Sequence, residues 1–254
     1  MSVGKALGSV AKRLDRQLGI RAWLGGEPRP PAGGFDLEGE KLIDWGWICA
    51  TLPRGPKRAL EIGSGKSPIV PAMLALGYDV TAVDLCEDLS RQVAGFRLLH
   101  GDFNELEIDA AFDVVVLCSV VEHIGLSGRY NSGEDPDGDL KAMCKVRSLL
   151  GPDGQVFLTI PVGLDVVHRP WHRVYGRKRL PHLLEGFDIV KSRFLLKEPW
   201  GPWRECDQDT ALNYPPQVQR YALGEMILKK RGDNKRLTHE MNGPLAVDRA
   251  KTIR

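Results

Sequence analysis

Short apolar runs alternate with stretches of helical spacing along residues 36–230, and this alternation limits the possible folds more than any other feature. Ala59-Leu60-Glu61-Ile62, Asp79 to Val83, Phe96-Arg97-Leu98-Leu99, Phe112 to Leu117 and Val156 to Ile160 read as buried strands. Glu38 to Ala50, Val70 to Leu76 and a segment opening at Asp135-Pro136 read as helices. In the last of these, Asp suits the N-cap and Pro the first helical position, and Leu140, Met143, Val146 and Leu150 make a buried face. The turn Gly151-Pro152-Asp153-Gly154 separates that helix from the strand behind it. Parallel neighbours need a crossover of a dozen or more residues, which a helix supplies. Strands near Phe187 to Phe194 and Ala222 to Leu228 bring the count to seven. The pattern predicts an α/β domain with a mostly parallel sheet and helices on both faces.

The flanks differ from this middle. Val3, Leu7, Val10, Leu14 and Leu18 mark an amphipathic helix suited to packing on the domain or to a homodimer contact. A Pro/Gly connector, Gly25 to Gly34, follows it, so residues 1–35 form a separate N-terminal element. Residues 231–254 read as a polar, basic tail. A net charge of +2, with 27% charged residues, gives no electrostatic reason to expect nucleic acid as a partner. Five scattered cysteines without a CxxC pair suggest reduced thiols and a cytoplasmic location. No apolar run approaches the ~20 residues of a transmembrane helix, and the first residues lack the core of a secretion signal.

In a sheet of this kind, ligands bind beyond the carboxyl ends of the strands. The first strand runs into Glu61-Ile62-Gly63-Ser64-Gly65-Lys66-Ser67, where two close glycines let the backbone turn and approach a ligand. A P-loop would need glycine where Leu60 stands, so that reading fails. A dinucleotide fingerprint would need glycine at Pro68, although Asp84 lies at a suitable distance for its acid.

The remaining reading rests on four strand ends taken in order. Glu61-x-Gly63-x-Gly65 resembles the glycine loop of class I S-adenosylmethionine-dependent methyltransferases, with Ser67 in place of the usual third glycine. Val80-Thr81-Ala82-Val83-Asp84-Leu85 resembles the family's second strand, whose terminal acid binds the ribose hydroxyls. His100-Gly101-Asp102-Phe103 resembles the segment beside the adenine, with Phe103 a candidate to flank the ring. Cys118-Ser119-Val120-Val121-Glu122-His123 resembles the segment that passes the methionine part of the cofactor. The resemblance implies a Rossmann-like class I methyltransferase fold with S-adenosylmethionine as cofactor. It makes Glu61, Gly63, Ser64, Gly65, Asp84, Leu85, Gly101, Asp102, Phe103 and Ser119 the candidate cofactor-binding residues. Glu122 to Leu126, Asp135 to Met143, Ile160 to Gly163 and His172 to Gly176 further resemble a bacterial methyltransferase group with members in glycan assembly. That implies O-methylation of a hydroxyl on a small-molecule or oligosaccharide acceptor, a mannoside among the options. N- or O-methylation of another metabolite, an NAD-dependent enzyme and a non-catalytic binding protein stay open.

Removing an alcohol proton at neutral pH calls for a base such as His. His123 and His172 are the candidates, with Glu122 beside the first. Helix capping for His123 and a structural turn for His172 are the plain alternatives. Arg129, Tyr130, Arg173 and Tyr175 carry forked or planar groups suited to a polyhydroxylated acceptor. Asp135, Asp137 and Asp139 have the oxygen chemistry for Mg²⁺, but Asp135 is equally a helix cap. Trp200, Trp203 and Tyr214 are candidates either for stacking on a sugar or for a satellite core.

Overall fold

The computed structural model describes residues 39–65, 67–85, 94–127, 130, 133–197, 202–218 and 220–232. The expected N-terminal helix and connector, Arg129, Trp200 and all but the first residues of the basic tail lie outside them.

The elements follow in the order α1 (Glu40–Thr51), β1 (Arg58–Ile62), α2 (Ile69–Ala75), β2 (Asp79–Asp84), β3 (Arg97–His100) and β4 (Phe112–Cys118). A single 3₁₀ turn, Val121–His123, leads to α3 (Gly138–Leu149) and β5 (Leu150–Val162). Then come β6 (Val166–His168), β7 (His172–Val174), α4 (Arg179–Leu183), β8 (Phe187–Lys197), β9 (Trp203–Cys206), α5 (Gln208–Leu212) and β10 (Ala222–Lys230). The sheet order is β3-β2-β1-β4-β5-β10-β8-β9. Strands β3, β2, β1, β4 and β5 are parallel, and β10 runs antiparallel between β5 and β8. The sheet therefore has eight strands, one beyond the seven expected, because β9 adds an antiparallel edge to β8.

Each face of the sheet has its own core. Trp47 and Ile48 of α1 and Ile69, Val70 and Met73 of α2 pack on Ala59, Val80, Val114, Val116 and Phe157. On the opposite face, Ala142, Met143 and Val146 of α3 pack with Leu60, Ile62, Val115, Leu117 and Leu158, joined by Leu180, Leu183 and Leu212. Alternate residues of one strand serve opposite cores, as the period of two requires.

Two local expectations give way to tertiary demands. Helix α3 starts at Gly138, not at Asp135-Pro136. The Asp135 carboxylate instead accepts from the Asp137 N–H at 3.1 Å and pairs with Lys141 at 2.6 Å, closing a turn ahead of the helix. The Gly-Pro-Asp-Gly turn is absorbed into β5 as a bulge. Phe112 pairs with Leu150 and Val114 with Gln155, so β5 advances five residues while β4 advances two.

The segments after β4 and β5 are tied by one cluster. Arg173 of β7, 1% exposed, donates to the carbonyls of Ile124 (2.6 Å), Asp135 (3.2 Å) and Pro136 (3.3 Å). Asp139, fully buried, accepts from the Tyr175 hydroxyl at 3.0 Å and from two nitrogens of Arg179 at 2.8 and 2.5 Å. Removing one member of a buried ion pair strands its partner. Asp139→Ala should lower stability by about 3 kcal/mol, read as a drop of roughly 6–12 °C in the thermal midpoint by circular dichroism.

Candidate functional site

Strand order reverses between β1 and β4, and the loops that leave their carboxyl ends meet there. Gly63 (φ 69°) is the contact point, since a Cβ at this position would run into the Val120 side chain. Two residues on, Gly65 (φ 48°) has open space where its Cβ would stand. Its N–H donates to Asp84 Oδ2 at 2.8 Å, which joins the end of β2 to the glycine loop. Leu85, next in line, is 41% exposed and offers an apolar surface at the same mouth.

The loop has unfilled polar capacity. Glu61 is buried and takes the Ser67 hydroxyl on Oε1 at 2.6 Å. Its Oε2 and the Ser64 Oγ have no hydrogen-bond partner among the described residues. Burial raises the Glu61 carboxyl to about 8, the Ser67 hydrogen bond opposing. A ligand with a cationic or hydroxyl donor would satisfy both oxygens.

At β3, Asp102 stays at the mouth, half-buried, and its Oδ1 accepts from the Asn104 N–H at 2.9 Å. The Phe103 ring is turned into the core and not open to the mouth. It is 4% exposed and packs in the core, with the Lys145 ammonium 4.8 Å above its ring. Lys145 also donates to the carbonyls of Phe103 and Leu106, which holds its ammonium over the ring. Gly101 holds a φ of 147° at the start of this turn.

Ser119 ends β4 with a φ of 47°, alone among described non-glycine residues in the left-handed region. Its N–H donates to the Thr159 carbonyl at 3.0 Å and its hydroxyl to Asp44 Oδ2 at 2.9 Å. The side chain thus faces α1 and leaves only its backbone near the glycine loop. Asp44 is fully buried, and its Oδ1 has no partner among the described residues. Burial, and then Glu40 nearby, raises its carboxyl to about 7. Glu40, Asp44, Trp47 and Ile48 are the buried positions of α1. This is a helical stripe whose first two members are acids, a signal the sequence carried and the strand-end reasoning passed over. Lys41 stands 3.7 Å from Glu40 and 4.0 Å from Asp44. Burial pulls its ammonium down, but Glu40, Asp44 and Glu122 together carry it above its usual value.

The histidines converge beyond the 3₁₀ turn. His123 Nδ1 lies 2.6 Å from the Trp171 carbonyl, and its Nε2 is 3.7 Å from Glu122 Oε1. Its ring meets Tyr130 edge-on at 5.2 Å and His172 at 6.3 Å. His172 is not on a free loop: it sits on the β6–β7 hairpin opposite His168, with ring centroids 5.4 Å apart. Glu122 is 2% exposed, and burial raises its carboxyl to about 8.

Arg173 and Tyr175 lie apart from this surface. Both are buried and engaged with loop carbonyls and Asp139, so they brace the site and do not present free groups to an acceptor. Asp135, Asp137 and Asp139 do not converge on a cation either. They pair with Lys141 and Arg179, and no three metal-ligating side chains meet among the described residues. Mg²⁺ therefore has no seat there. Trp203 belongs with the small core of Val174, Leu195, Tyr221 and Leu223, which favours the satellite-core reading for it, whereas Tyr214 packs against the main core.

Comparison with known proteins bears on the fold. A family model described as "Caenorhabditis protein of unknown function, DUF268" matches residues 72–197. The ubiquinone biosynthesis O-methyltransferase of Burkholderia lata is 26% identical over 211 residues, covering 70% of this chain and 84% of that protein. The 1,6-didemethyltoxoflavin-N1-methyltransferase of Burkholderia thailandensis, solved with S-adenosylhomocysteine, superposes with a TM-score of 0.50 at 19% identity. That match covers 91% of this chain and 92% of the other. The N-methyltransferase NodS of Bradyrhizobium japonicum, also bound to S-adenosylhomocysteine, gives 0.52 at 14% identity, covering 77% and 88%. The chain has the class I methyltransferase fold. Pro68, at the place of the third glycine of a dinucleotide fingerprint, is the N-cap residue of α2.

The raised carboxyls set a pH dependence. A buried carboxyl whose folded value exceeds its unfolded one takes up a proton on folding. For Asp44 that stabilisation is full below 3.8 and is lost as pH rises through about 7. Asp44→Asn should raise the thermal midpoint at pH 8 by several degrees. The gap to wild type should narrow steadily toward pH 4, and a gap of constant size across that range would exclude this origin.

Proposed function

We propose that the chain is an S-adenosylmethionine-dependent methyltransferase that methylates a hydroxyl of a sugar or glycan intermediate. The observation that carries this reading is the contact of Gly63 with Val120. It sets the glycine loop against the turn that bears His123, whose own N–H bonds the Val120 carbonyl at 3.0 Å. A methyl donor on the loop and an acceptor at the histidine would then meet at one point.

When bound, the cofactor supplies an electrophilic methyl group on a sulfonium. The chain's residues supply position and proton handling. A carbonyl only accepts hydrogen bonds, so the Trp171 carbonyl fixes the His123 proton on Nδ1 and leaves Nε2 as the base. Nε2 takes the hydroxyl proton as the acceptor oxygen attacks in line. Glu122, whose Oε1 lies 3.7 Å from that nitrogen and whose carboxyl burial raises to about 8, would stabilise the imidazolium in its carboxylate form. The half-exposed Tyr130 ring, which meets His123 edge-on, suits the C–H face of a sugar ring.

A second reading is O-methylation of an intermediate like that of the ubiquinone-biosynthesis relatives, which the similarity to the Burkholderia lata enzyme favours. Retention of the binding loop without turnover on any acceptor would mark a non-catalytic protein instead.

Calorimetric titration with S-adenosylhomocysteine, with NAD⁺ in parallel, tests the reading. Micromolar binding of the former alone is expected, and no binding would sink the methyltransferase assignment. Asp84→Ala should weaken that binding at least about tenfold, the loss of a charge-assisted hydrogen bond to a hydroxyl. His123→Ala should leave cofactor affinity near wild type and lower turnover about 10²-fold or more. Labelled methyl donor offered with mannosides and with quinol precursors separates the two acceptor readings.

A further inference from the structure

Tyr221, one residue before β10, is 7% exposed and touches two parts of the site at once. Its hydroxyl donates to the Glu40 carboxylate, 3.2 Å from each oxygen. Its ring meets the His172 ring edge-on, with centroids 5.2 Å apart, and His172 meets His123 in the same manner. On α1, Glu40 lies 3.4 Å from the Ser119 hydroxyl, which also bonds Asp44. One side chain therefore bears on the end of β4 through α1 and on the base through His172.

The surroundings keep both contacts in place. Val174, Leu195 and Leu223 pack with Tyr221 in a small core to which Ile43 of α1 and Val166 of the hairpin contribute. Burial, then the Glu40 charge, holds the phenol well above its ordinary pKa, so it stays a donor throughout the working range. Edge-to-face ring contacts fix angle as well as distance, which a simple aliphatic filler would not do.

We propose that Tyr221 is a positioning residue that fixes α1 and the His172–His123 pair relative to each other, so that the two sides of the mouth share one geometry. Its cofactor arm rests on the methyltransferase reading; its histidine arm does not.

The test compares wild type with Tyr221→Phe, Tyr221→Leu, Glu40→Gln and the Tyr221→Phe/Glu40→Gln double variant. Calorimetry with S-adenosylhomocysteine reads one side, and ring-labelled histidine NMR at fixed pH reads the other. Tyr221→Phe loses the hydroxyl and keeps the ring. It should weaken S-adenosylhomocysteine several-fold, because α1 then holds Ser119 less firmly at the end of β4, and leave the His123 cross-peak in place. Glu40→Gln should weaken it similarly, and the double variant should fall well short of the sum of the two effects. Tyr221→Leu should also displace the His123 cross-peak, which Tyr221 reaches through His172. A side chain that only fills space would lower the melting temperature of these variants and move neither readout well below melting. Affinity of Tyr221→Phe within twofold of wild type, or an unmoved His123 signal in Tyr221→Leu, overturns the proposal. Should Tyr221→Leu fail to fold, Tyr221→Met carries the ring-loss arm and the hydroxyl arm still decides. A wild-type chain that binds no S-adenosylhomocysteine overturns the methyltransferase reading, and the His123 signal alone then decides the coupling.

Discussion

The approach of Gly63 to Val120 is the constraint on which the rest of the site depends. Two loops leave neighbouring parallel strands at a point where the sheet order reverses, and nothing in the strand pairing requires them to touch. They touch because residue 63 has no Cβ and holds a φ of 69°. That contact turns two unrelated strand ends into the two walls of one mouth. The glycine loop and Asp84 lie on one side, and the 3₁₀ turn with Glu122 and His123 on the other.

Around this contact the protein buries several carboxyl groups. Glu40, Asp44, Glu61, Glu122 and Glu225 are all nearly inaccessible, and four of them keep a carboxylate oxygen without a hydrogen bond among the described residues. Buried carboxyls of this kind are stabilised by taking up protons or by meeting a cation. The same region holds Ser119 in a strained backbone conformation, fixed by Thr159 and Asp44. Strain and unsatisfied charge sit together at the sheet's carboxyl end, while both cores below it are apolar and closed. Stability is supplied by the lower half of the domain and spent at the mouth.

The fold was legible because its signals are local. Alternating strands and helices, and the glycines, acids and serines at their ends, are properties of short windows, and the strands from β1 to β5, β8 and β10 follow them closely. The interior of the site was less so. Phe103 and the arginine and tyrosine of Arg173-Val174-Tyr175 have the side chains of ligand-binding residues, yet they turn inward, where a lysine on α3 and the carbonyls of a distant loop meet them. No window of sequence contains both partners of such contacts. The hairpin that presents His168 and His172 leaves little pattern in the sequence, because its strands are only three residues each. The acids of α1 were different: Glu40 and Asp44 stand in register with Trp47 and Ile48, so their burial was written in the helical period.

Arg173 has a wider meaning. Its guanidinium gathers backbone carbonyls from the segment between the 3₁₀ turn and α3, and Arg179 and Tyr175 clamp Asp139 at the start of that helix. Backbone carbonyls impose no sequence on the loop they belong to. The side chains there can thus change while the backbone at Ile124, Asp135 and Pro136 stays anchored from outside. Residues 133–139 and 166–179 brace each other, so grafting either part alone into another protein of this fold would leave the transplanted piece without its scaffold.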